Sequence, residues 1–161
     1  MKPFWVADSS IWFDLAAAGL LEKAVALHDR WTCPDVLLEE LRHDPEGSLL
    51  VSLGVEICEL SGAEVASVLE LAREHFRPSR LDLFALVLAR RPGGLLLTGD
   101  ADLRRVAESL GVEVHGVLWI LDRLVDAALP RGRAARALEK ILARGSRLPE
   151  VEVRKRLDRW G

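Results

Sequence analysis

The chain has 161 residues, 50 % of them apolar, and a formal net charge of −3. That is long enough for one domain with its own core and too apolar for a disordered chain. No apolar run approaches the about 20 residues that a membrane span needs, so no membrane partner is expected. The start, MKPFWVADSS, meets Asp8 too early for the apolar core of a signal peptide. Cys33 and Cys58 form no CxxC pair or disulfide framework. Both features point to the cytoplasm.

The charge is unevenly spread. Residues 1–70 carry 4 Lys and Arg against 13 Asp and Glu, whereas residues 71–161 carry 18 against 12. Nearly all the basic residues of the second half are arginines. They suit a polyanionic substrate or an acidic partner, and equally a solvated helix face.

In chain order, Phe4–Ala7 reads as a short buried strand ending at Asp8. SSIWFDLAAA (9–18) is helical and stops at Gly19, and LLEKAVALHD forms a second helix. Arg30–Cys33 is a strand, and Pro34 opens a helix, PDVLLEELR, with Asp35 in its first turn. Val55–Cys58 alternates like a strand. Ser61 and Glu64 make a capping box ahead of EVASVLELAREHF. Pro78 and Ser79 open RLDLFALVLARR, which Pro92-Gly93-Gly94 breaks. Leu95–Leu97 is an interior strand, ADLRRVAESL a helix closed by Gly111, and Val112–Val114 one more strand. Three helical stretches follow: GVLWILDRLVDAAL, RAARALEKILAR and EVEVRKRLDRW. Strands alternating with helices predict an α/β fold, a three-layer α/β/α sandwich around a mostly parallel sheet. Residues 1–128 are expected to form the sheet-bearing domain and 129–161 a helical extension packed on it.

The segment LLLTGDADLRR places two carboxylates, Asp100 and Asp102, directly after a strand. Singly, each acid of interest has a local explanation. Asp8 can cap the helix from Ser9, Asp82 can complete a capping box with Ser79, and Asp100 can cap ADLRRVAESL with Asp102 in its first turn. Together they suggest more. In a parallel sheet Asp8 and Asp100 both leave at the carboxyl edge, where ligand sites form. Gathering carboxylates there is costly unless cations neutralise them, and hard oxygen ligands suit Mg²⁺ or Mn²⁺. Glu40 lies well inside the helix opened by Pro34, so capping does not explain it; a solvated glutamate does, and Glu39 competes for any role.

Other chemistries fit less well. His28, His43, His75 and His115 show no ligand spacing for zinc. No Gly-rich phosphate cradle and no GxSxG elbow is present. The five tryptophans are spread out as core residues are, although Trp160 in its arginine-rich tail could instead meet a partner.

VADSSIWFDL, CPDVLLEEL, SRLDLFALVLA and LLLTGDADLRRVAESLGVEVHG, in this order, resemble the PIN-domain family of metal-dependent ribonucleases. The tail ILARGSRLPEVEVRKRL is similar to a branch of VapC-like members with extra C-terminal helices. The resemblance implies a nuclease domain over 1–128 and four acids, Asp8, Glu40, Asp82 and Asp100, that hold Mg²⁺ or Mn²⁺ and cut RNA. It favours Glu40, before Leu41, over Glu39, and leaves Asp102 to share or replace the role of Asp100. Ser10 and Thr98 would orient Asp8 and Asp100, and Arg80, Arg104 and Arg105 would steer the phosphate backbone. The resemblance also implies a toxin of a toxin–antitoxin pair or a stand-alone RNA-processing nuclease, an antitoxin protein as partner in the first case, and a homodimer. Rival readings are a non-catalytic RNA- or protein-binding module with a vestigial acidic cluster, a phosphatase, and a DNA nuclease.

Overall fold

The computed structural model describes residues 2–43 and 45–161. Phe4–Ala7 forms β1, with all four side chains buried. It lies at the centre of a five-stranded sheet in the order β3-β2-β1-β4-β5. The other strands are β2 (Trp31–Pro34), β3 (Glu56–Cys58), β4 (Gly94–Leu97) and β5 (Glu113–His115), and every pairing is parallel. Register is fixed by Trp5 opposite Trp31 and by Val6 opposite Leu96.

Alternate residues of β1 feed two cores, which is why the strand reads as a continuous apolar run. On one face, Trp5, Ala7, Leu95 and Leu97 pack with α1 (Ser9–Ala17), α2 (Leu21–Val25), α7 (Val117–Asp126) and α8 (Arg131–Ala143). On the other, Phe4, Val6 and Leu96 pack with α4 (Gly62–Glu74), α5 (Arg80–Ala89) and α6 (Ala101–Ser109). The result is a three-layer α/β/α sandwich with C-terminal helices. Among the described residues, no helix is long and apolar enough to cross a membrane.

The helix expected from Pro34 to Arg42 is not one. Pro34 ends β2, paired with Cys58, and Asp35–Glu39 makes a short 3-10 helix that stops at Glu40. Leu37 and Leu41 both drop into the core just below the strand end, and the chain turns there. The Gly47 amide donates to the Leu41 carbonyl. Glu40 is therefore a helix-end residue, not an interior one. The turn leads into α3 (Gly47–Ser52), which sequence reading missed because GSLLVS has no side-chain cap and little helix preference. Buried Leu50 anchors it.

The C-terminal helices are tied in by polar clamps as well as by apolar contacts. Ala134, Leu138, Ile141, Val153 and Trp160 are part of the first core. Asp14 on α1, only 2 % exposed, accepts hydrogen bonds from Arg144 Nε and Nη2 and from Ser146 Oγ, just past α8. Arg156 of α9 (Glu150–Trp160) forms a two-pronged pair with Asp122 of α7, at 2.6 and 2.9 Å.

Gly94 shows how tightly β4 is seated. A Cβ there would lie 2.1 Å from the Ala89 carbonyl oxygen and 2.8 Å from Phe4 Cζ. Backbone cannot yield as a flexible side chain can, so Gly94→Ala should cost about 3 kcal/mol in thermal unfolding. Gly62→Ala, with nothing within 4 Å, is the control and should cost nothing. Equal melting of the two variants would refute this packing.

Candidate functional site

From β1 the chain builds the sheet first toward β2 and β3, then toward β4 and β5. The carboxyl ends of β1 and β4 therefore flank the point where the winding reverses, where a crevice opens in such sheets. Asp8 follows β1 and Thr98-Gly99-Asp100 follow β4, which brings the two segments together.

Asp8 is 1 % exposed and fully engaged. Its Oδ1 accepts from Ser10 Oγ at 2.6 Å and from the Ile11 amide at 3.1 Å, and its Oδ2 accepts from Thr98 Oγ1. The two hydroxyls also reach the neighbouring strand. Ser10 Oγ accepts from the Gly99 amide at 3.2 Å, and Thr98 Oγ1 accepts from the Asp100 amide at 3.0 Å. Asp100 in turn caps α6, accepting from the amides of Asp102 and Leu103. Ser10 and Thr98 thus fasten Asp8 to the β4–α6 turn. Local capping and convergence are one arrangement here, because helices start where the crevice opens.

Asp82 reaches the same place from α5. Ser79 and Asp82 form a reciprocal capping box, with both bonds at 3.1 Å. Glu40 is exposed and accepts a long 3.4 Å bond from Ser9 Oγ. The acids also act on one another's charge. Burial pushes the Asp8 carboxyl up to about 7, against the lowering effect of its three hydrogen bonds, and the charge of Asp82 raises it further. Glu40 is raised by partial burial and then by Asp82. Asp82 is raised by burial, then by the charge of Asp100, while its bonds with Ser79 oppose this. Asp82 is the acid that links the other three.

The remaining candidates have other side-chain contacts or none in the group. Among the described residues the Glu39 side chain has no hydrogen-bond partner, and its backbone carbonyl accepts from Arg42 Nε. Asp102, half-buried in the first turn of α6, pairs with Arg105. Arg80 is exposed at the start of α5, and Arg104 faces a groove beside Gly116.

Whether the acids suit a metal can be judged from their chemistry. The donors are all carboxylate oxygens, three of them raised by burial and by one another's charge, which a cation would relieve. Among the described residues, no three His, Cys, Asp or Glu side chains stand close enough to hold an ion on their own. The set therefore suits a hard cation that keeps several waters and takes one or two carboxylates directly, the habit of Mg²⁺.

A family model described as PIN domain matches residues 4–161. The chain belongs to the PIN-domain family. No curated protein matches it closely enough to count as a relative.

The match runs through α9, so the C-terminal helices of this PIN domain lie within the family's span. Sequence reading missed Asp14 and the Arg144–Pro149 connection, which form a depression against Ser10 and Gly99 on the Asp8 side of the crevice. The only local hint was an acid, Asp14, on the apolar side of α1.

Proposed function

We propose that this PIN domain is a metal-dependent endoribonuclease that hydrolyses RNA phosphodiester bonds in the cytoplasm, with Asp8, Glu40, Asp82 and Asp100 as its acids. The observation that carries this reading is the meeting of Asp8 and Asp100 at the β1–β4 switch point, where Ser10 and Thr98 tie Asp8 to the β4–α6 turn.

Asp8, Asp82 and Asp100 would hold one or two Mg²⁺ or Mn²⁺ ions, directly or through water. A divalent cation bound there supplies Lewis acidity toward water and toward the phosphate. The chain's own groups do the positioning. Ser10, Thr98 and the Ile11 amide fix both oxygens of Asp8, and the α6 amides fix Asp100. Glu40 is exposed and, among the described residues, held by one long bond from Ser9, which suits it to take the proton of the attacking water. Water oxygen bonds to phosphorus, the bond to the 3′ oxygen breaks, and that oxygen takes a proton from solvent.

The test is incubation with labelled RNA and DNA of one sequence in Mg²⁺, Mn²⁺ or EDTA. RNA should be cut with either metal and spared in EDTA, and DNA should be cut far more slowly. Equal cutting of both polymers makes the protein a general nuclease. Binding without cutting under every condition favours the non-catalytic module.

A further inference from the structure

Beside the carboxylates a groove of about 550 Å³ opens between the β4–α6 turn, the start of α7 and the α8–α9 connection. Arg104, Arg147 and Arg156 give it positive charge against the single acid Glu152, and Trp119 and Leu148 form its wall with the His115 ring, which pairs with Glu113 at 2.9 Å. Among the described residues, neither the Arg104 nor the Arg147 guanidinium has a carboxylate partner. Arg156, on the same groove, is taken up by Asp122 and Glu152. Gly116 makes room for Arg104, because a Cβ there would lie 3.1 Å from Arg104 Nη2. Arg147 is held at the rim because its neighbours Arg144 and Ser146 are clamped on buried Asp14. A second depression, which shares Gly99, Arg147 and Leu148 with the groove, continues to Ser10 and so to the partner of Asp8. His115 stacks on Trp119 at 4.2 Å with the rings 7° from parallel, and Arg123 covers Trp119 at 4.7 Å. This makes a rigid aromatic surface.

We infer that the groove binds one unpaired nucleotide of single-stranded RNA next to the carboxylates, with its two flanking phosphates on Arg104 and Arg147 and its base against the His115–Trp119 surface. Two free cations spaced around an aromatic wall match the alternation of phosphate and base along a single strand. An acidic peptide would satisfy the arginines and leave the aromatic wall unused. The site deepens the ribonuclease reading and rests on it for its substrate, but binding does not require cleavage.

The experiment is fluorescence anisotropy of a short labelled RNA strand in EDTA, across a KCl series, with wild type, R147Q, R104Q/R147Q and His115→Ala. Each arginine removed should lower the slope of log affinity against log salt by about 0.7, the value for one phosphate contact on a single strand. An abasic strand should bind wild type about tenfold more weakly than the normal strand, a difference that His115→Ala abolishes. R147Q alters an exposed side chain, so its slope stands as a test even if the double variant folds poorly. An unchanged slope in R147Q overturns the inference. So does an abasic strand that binds as well as the normal one while a polyglutamate peptide displaces both, because the groove then belongs to an acidic protein segment. Wild type that shows the expected slopes but cuts no RNA with Mg²⁺ or Mn²⁺ supports the groove and rejects only the ribonuclease reading.

Discussion

Between about pH 4 and pH 8, metal-free wild type should lose about 4 kcal/mol of stability relative to Asp8→Asn. Asp8 sits at the end of a fully buried strand with hydroxyl and amide donors around it, and burial outweighs them. Its carboxyl is raised from 3.8 to about 7, so the folded protein holds that proton more tightly than the unfolded chain does. The stabilisation this gives is complete below the ordinary carboxylate value. It is lost as pH rises through the window from about 4 to about 7. Asparagine keeps the shape and cannot ionise, so its variant escapes the loss. In thermal unfolding followed by circular dichroism in EDTA, the gap should move in favour of the variant by on the order of 10 °C. A gap that does not change with pH, or that moves in favour of wild type, would show that Asp8 is charged at little cost.

The same residue should matter in the opposite sense for activity. Asp8→Asn and Asp82→Asn should each slow RNA cleavage by on the order of 10³-fold without unfolding the protein. Asp8 carries the fixed carboxylate and Asp82 links the set, so neither loss can be made good by a neighbour. Thr98→Val removes the hydroxyl between Asp8 and the Asp100 amide and leaves both acids in place. It should cost only about 10–100-fold. Asp102→Asn breaks a surface pair with Arg105 and should leave the rate nearly unchanged. Single-turnover rates under saturating Mn²⁺ measure all four. An Asp102 variant as damaged as Asp82→Asn would make Asp102 a working acid of the site.

What could be read from the sequence was what local chemistry decides. The apolar runs at Phe4–Ala7 and Leu95–Leu97, and caps such as Ser61 with Glu64, depend on near neighbours, and they fall where expected. The parallel sheet followed from their alternation with helices, and it set Asp8 and Asp100 at one edge. Asp82 was different. A helix, not a strand, precedes α5, so only the packing of α5 on β1 and β4 brings its first turn to the crevice. Glu40 was misread because PDVLLEELR has helical spacing, yet its leucines are needed in the core directly under β2. Asp14 and Arg144 stand 130 positions apart, and no local pattern foretells that one α1 carboxylate will anchor the connection after α8.

The most direct measurement of the carboxylate group as a metal site is the melting temperature of wild type, Asp82→Asn and Asp102→Asn with and without Mn²⁺ at neutral pH. A site that binds the ion only when folded adds about 2.7 kcal/mol at a hundredfold excess over Kd, several degrees for a domain of this size. Wild type and Asp102→Asn should show that rise, and Asp82→Asn should show none. An equal rise in all three, or no rise in wild type, would contradict a metal centre built around Asp82.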